Sequence, residues 1–99
     1  MKTQPLKPSA LLSKPGAWCQ KAEALDRHHN TVDGNSPHAC QWCLLGALAR
    51  CFPGDDDKYD IARAEVRNAI PPHDWISTWN DTPGRTQAEV VALLQSVGL

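Results

Sequence analysis

Ser36-Pro37-His38-Ala39-Cys40-Gln41-Trp42-Cys43-Leu44-Leu45-Gly46-Ala47-Leu48-Ala49 reads as a helix with almost no polar face. From Ala39 to Ala49 only Gln41 is polar, and a helix that is apolar on nearly every side must be enclosed by other elements. Ser36 is a favoured N-cap and Pro37 suits the first helical position, where a missing N–H costs nothing. Phe52-Pro53-Gly54 ends the run. A central apolar helix over about residues 37–51 is therefore expected, and Gly46-Ala47 near its middle marks a place where another helix comes close.

The flanks add further helical signals. Residues 1–14, with their Lys, Pro, Thr and Gln, read as an extended or disordered tail, and residues 15–99 as one compact helical domain. Trp18, Ala22 and Leu25 recur at i, i+4 and i+7, which predicts a helix from about Pro15 to Arg27. His28 to Ser36 is a polar loop. Asp55-Asp56-Asp57 suits the positive end of a third helix, whose stripe is Tyr59, Ala62, Val66 and Ile70 and which Pro71-Pro72 ends. Trp75 and Trp79, four apart, would share one face of a short helix. Thr86 and Glu89 form a capping box ahead of Val90, Leu93, Leu94 and Val97, and Gly98 closes that helix. No stretch alternates with period two for long, so the expected fold is all-α: a small single-domain bundle of four to five helices.

Composition limits the function classes. The net charge of −1 provides no basic field for nucleic acid, and three of the ten basic residues, Lys2, Lys7 and Lys14, sit at the very start. No run of about 18 apolar residues is present to span a membrane. The N-terminus lacks the apolar core of a secretory signal, which predicts a reducing cytoplasm with the four cysteines as thiols.

Two chemistries compete for those cysteines. Cys40-x-x-Cys43, with Cys19, Cys51, His28 and His29, offers sulfur and nitrogen ligands for zinc, although a pair inside a helix is not the usual turn-borne arrangement. Alternatively Cys40, near a helix N-terminus with His38 or His28 as base, would be a nucleophile. No oxyanion loop or thiol-hydrolase pattern accompanies it, and against both stands burial of Cys19, Cys43 and Cys51 as small hydrophobes. Cys40, Cys43 and His38 are thus the metal or thiol candidates, while no catalytic residue and no cofactor is assigned. Asn80-Asp81 with Arg85 and Thr86 reads as turn and cap chemistry or as a polar binding cluster.

Trp18-Cys19, Gln41-Trp42-Cys43-Leu44-Leu45-Gly46-Ala47-Leu48, Ile76 to Trp79-Asn80-Asp81, Arg85-Thr86 and Glu89-Val90-Val91, in that order, carry a resemblance. The chain resembles an uncharacterised family of small proteins of bacteria and their phages over roughly residues 15–97. The resemblance implies a cytoplasmic, phage- or prophage-associated setting and no catalytic residues; the Pro-rich start and the His-rich loop lie outside the pattern. The leading functional expectation is a small non-enzymatic protein-binding module of phage type that inhibits or modulates a host protein or complex, such as a defence system. Its candidate contacts are Trp75, Trp79, Asp81 and Arg85, tryptophan being enriched at interface hot spots. The alternative is a small zinc- or thiol-based protein, and nucleic-acid binding through the lysine tail is the third reading.

Overall fold

A computed structural model describes residues 7–54 and 56–99. It overturns the all-α expectation: the described residues form five helices and a three-stranded antiparallel sheet, so the fold is α+β. The helices are α1 (Pro8–Leu12), α2 (Leu44–Cys51), α3 (Asp56–Ala69), α4 (Ile76–Asn80) and α5 (Gln87–Ser96). The strands are β1 (Ala24–Leu25), β2 (Thr31–Val32) and β3 (Gln41–Trp42), in the order β2-β1-β3. Ala24 sits opposite both Val32 and Trp42, and Leu25 opposite Thr31 and Gln41.

The helix expected over 15–27 does not form. Lys21 adopts a left-handed backbone (φ 67°), which breaks any helix there, and Asp81 holds it by accepting the Lys21 N–H at 2.8 Å. The chain instead runs extended beside β3: the Trp42 N–H donates to the Ala17 carbonyl at 2.7 Å, and the Cys19 N–H to the Trp42 carbonyl at 3.0 Å. Asp26 then turns β1 into β2, its Oδ1 accepting the N–H groups of His28 (2.8 Å) and Asn30 (2.9 Å). Those bonds hold the Asp26 carboxyl below its ordinary range.

The central helix expected over 37–51 keeps only its second half. Ser36-Pro37-His38-Ala39 closes a turn, with the Ala39 N–H on the Ser36 carbonyl at 3.1 Å, and Gln41–Trp42 is strand. The helix starts at Leu44, capped by Cys43, whose Sγ accepts the Gly46 N–H at 3.3 Å. The short α2 is still the hub, touching α1, α3 and α4. Gly46 is approached by the Glu23 carbonyl ahead of β1, with which an added methyl would collide; the neighbour is the segment leading into β1, not the helix expected. Trp42 pins the loop before β3 by donating from Nε1 to the Gly34 carbonyl at 2.9 Å, and Arg50 lies 5.5 Å over its ring.

Within the stretch read as a tail, residues 1–6 lie outside the described residues and Pro8–Leu12 form α1, with Leu11 and Leu12 buried against α2 and α5. Gln87 donates from Nε2 to the Leu12 (2.6 Å) and Lys14 (2.7 Å) carbonyls at the end of α1. The Ser9 hydroxyl donates to the carbonyl of Leu99 at 2.9 Å, which ties α1 to the chain end. The core is completed by Leu44, Ala47 and Leu48 of α2, Ala62 and Val66 of α3, Trp79 of α4, and Val90 and Leu94 of α5. Each buried Leu or Val contributes about 1.5–3 kcal/mol relative to exposure.

The expectations for α3 and α5 hold. Ala62, Val66 and Ile70 face the core, with Tyr59 partly buried beside them. The Thr86–Glu89 capping box is complete, the Glu89 N–H donating to Thr86 Oγ1 at 3.2 Å and the Thr86 N–H to Glu89 Oε1 at 2.9 Å. Asp55 lies outside the described residues. No described helix is long and apolar enough to cross a membrane.

Candidate functional site

Four of the expected contact residues fall on or next to α4, and they divide into two environments. Trp79 is 9% exposed and packs in the core, and Asn80 beside it is fully buried. Asn80 Oδ1 accepts from Trp18 Nε1 at 2.7 Å and from the Leu44 N–H at 3.0 Å. Its Nδ2 donates to the Cys19 carbonyl at 3.2 Å and to Asp81 Oδ1 at 2.9 Å. Both acceptor and both donor positions of the amide are therefore filled. The Asn80 main-chain carbonyl accepts from Gln20 Nε2 at 3.0 Å, and the same amide group reaches the Thr82 carbonyl at 3.1 Å. One side chain joins the extended N-terminal segment, the start of α2 and the end of α4.

Asp81 and Arg85 are bound into the same region. Asp81 secures the left-handed Lys21 and braces Asn80. Arg85 donates from Nε to the Trp79 carbonyl at 3.0 Å, lays its guanidinium 3.8 Å over the Trp79 ring and pairs with Glu89 at 3.4 Å. The bonds from Thr86, with Arg85 alongside, lower the Glu89 pKa. Trp79, Asp81 and Arg85 thus spend their contacts inside the fold.

Trp75 does the opposite. It is the N-cap of α4 with an extended backbone (φ −80°, ψ 155°), so it leaves the helical path that Trp79 follows and stands 68% exposed. It lines a groove of about 530 Å³ between α3 and α4, together with the apolar Leu45, Ala64 and Ile76 and the polar Asp60, Arg63, Arg67 and Ser77. Asp60, Arg63, Ala64 and Arg67 recur at i, i+3, i+4 and i+7, one face of α3 lying away from its buried stripe. Arg67 donates from Nη2 to the Pro72 carbonyl at 3.0 Å, fixing the connection that delivers Trp75 to the groove. Arg63 makes no hydrogen bond or ion pair among the described residues. Sequence reading found Trp75 and missed both arginines, although their spacing on the polar side of α3 was the signal for them.

The thiol candidates separate. Cys40 is exposed and Cys43 buried, on either side of the two-residue β3, not on one helix as expected. His38, His28 and Cys40 border a shallow depression of about 550 Å³ with Asp26 and Arg27. Among the described residues, no three His, Cys, Asp or Glu side chains are grouped so as to hold a metal ion. Burial raises the Cys43 pKa and outweighs the Gly46 and Leu45 N–H groups that pull it down, so this helix-capping sulfur is a thiol at neutral pH. Burial, with Cys43 and Asp81 nearby, pushes Cys19 up to about 12, and burial pushes Cys51 up to about 11. A cavity of about 250 Å³ beside the groove is bordered by Glu23, Cys43, Ser77 and Asp81.

Residues 8–98 match the model of a family of unknown function, DUF6197, and the chain belongs to that family. Neither the curated proteins nor the solved structures yield a match to it.

Proposed function

We propose that this protein is a non-enzymatic protein-binding module that docks its partner in the α3–α4 groove with Trp75 as the anchor. The observation that carries the reading is the exposure of Trp75, at 68%, in a groove whose lining also includes the apolar Leu45, Ala64 and Ile76. Leaving an indole in water forgoes stabilisation that its burial would give, and aromatic anchors beside an arginine are the usual source of binding energy at interfaces. The fold supports the anchor on both sides: Pro72 is held by Arg67, and the first turn of α4 is held by the Trp79 N–H on the Trp75 carbonyl at 2.9 Å. A site on rigid elements keeps the ordering cost of association low. In the phage-type setting, the partner is a host protein or complex whose activity the module inhibits or modulates.

The test is site-specific photocrosslinking in cells with a photoreactive phenylalanine at position 75, and at exposed Gln95 on α5 as control. A discrete adduct at position 75 that is missing at position 95 is the expected outcome. Equal labelling at both positions, or no adduct at 75, contradicts the proposal.

A further inference from the structure

We infer that the segment occupying the Trp75 groove is an acidic, apolar peptide stretch, in which aliphatic or aromatic side chains cover the indole and a carboxylate meets Arg63 and Arg67. The inference rests on the groove being the docking face and adds the chemistry of its occupant. Leu45, Ala64, Trp75 and Ile76 make half of the lining apolar, which favours side chains that bury surface there. The lining carries two guanidinium groups against the single carboxylate of Asp60, a local positive excess on a chain whose net charge is −1. Arg63 has no ion-pair partner among the described residues, and Arg67 is already oriented by its bond to Pro72. A planar guanidinium meets a carboxylate through two parallel hydrogen bonds, and a held side chain gives up less freedom on doing so.

The same lining argues against a nucleic-acid strand. Aromatic stacking sites for single strands sit in grooves that follow the backbone with positive charge, whereas Asp60 lies in this lining and only two basic side chains border it. A basic peptide would bring its charge against both arginines.

The experiment is selection from a surface-displayed random peptide library on the whole protein, with counter-selection on Trp75→Ala. Enrichment of sequences that combine Asp or Glu with Leu, Ile, Phe or Trp is expected. Their affinity should fall by about tenfold or more in Arg63→Glu and weaken as salt rises. Arg63 is exposed and makes no hydrogen bond or ion pair among the described residues, so its replacement leaves the fold in place, which a thermal melt checks. If Trp75-dependent peptides are neutral or basic, or are indifferent to Arg63→Glu, the acidic occupant is refuted while docking at Trp75 stands. If no enriched peptide depends on Trp75, both fall. If single-stranded oligothymidylate perturbs the tryptophan fluorescence of the unsubstituted protein but not of Trp75→Ala, and displaces the selected peptides, the groove takes nucleic acid and the inference is overturned.

Discussion

Trp75 and Trp79 are four residues apart at the two ends of one helical turn, and their surroundings differ in almost every respect. The Trp79 ring is covered by Arg85, packed into the core and followed by an asparagine whose amide has no unfilled position. Trp75 caps the same helix from an extended backbone and borders a groove whose lining includes an arginine with no ion pair among the described residues. The difference shows how this small fold separates tasks. Interactions that unite distant segments are concentrated at Trp79–Asp81, so the neighbouring surface is left free of structural duties.

Substitutions at the closed end should be the most costly. Trp79→Ala is expected to lose about 3–5 kcal/mol in urea unfolding, the usual range for removing a core aromatic. Asn80→Ala leaves the Leu44 N–H and Trp18 Nε1–H without an acceptor, at about 1–3 kcal/mol for each buried orphan. A loss below about 1 kcal/mol for either would show that this end is not the lock described.

Gly46→Ala comes next, at about 2–3 kcal/mol, because the obstructing Glu23 carbonyl also accepts the Cys43 N–H at 3.0 Å and cannot withdraw without breaking that bond. A variant as stable as the parent protein would contradict the close approach of Glu23 to α2.

A pH dependence acts in part on the same closed end, where the Cys19 carbonyl accepts from Asn80. Cys19 and Cys51 titrate higher in the folded chain, about 12 and about 11, than the ordinary 9.0. The unfolded chain therefore releases these protons first, so their stabilisation is complete below pH 9.0, declines as pH rises above it and is gone past the folded values. Urea midpoints should drop from neutral pH to about pH 10.5, and Cys19→Ala should flatten that drop. An unchanged slope in the variant would rule out Cys19 as a source. The smallest effect belongs to the open end: Trp75→Ala should alter stability by no more than about 0.5 kcal/mol. A larger loss would make Trp75 part of the scaffold and remove the contrast between the two tryptophans.

Legibility in the sequence followed the range of the interactions. The α3 stripe and the Thr86–Glu89 box are local patterns, and both appear where they were read. Residues 15–27 and 37–43 were misread as helix, and Thr31–Val32 as loop, because the strands are two residues long, too short to show alternation, and because β1 pairs with β3 across the whole intervening loop. The Trp18, Ala22 and Leu25 spacing imitates a helix, yet Asp81, distant in sequence, holds Lys21 in a conformation no helix accepts. Ser36-Pro37 is a strong local start signal that lost to strand pairing, and cysteine, an uncommon cap, took over at position 43. At the candidate site, Trp75 was legible as a contact residue because tryptophan is enriched at interface hot spots. Its separation from Trp79 was hidden, because i, i+4 spacing aligns two residues only when both lie within the helix.

The most direct test of the division between the two ends is the affinity of a groove-selected peptide for Trp75→Ala relative to the unsubstituted protein. The account predicts a loss of about tenfold or more with an unchanged melting temperature. Undiminished binding by a variant that melts normally would contradict it.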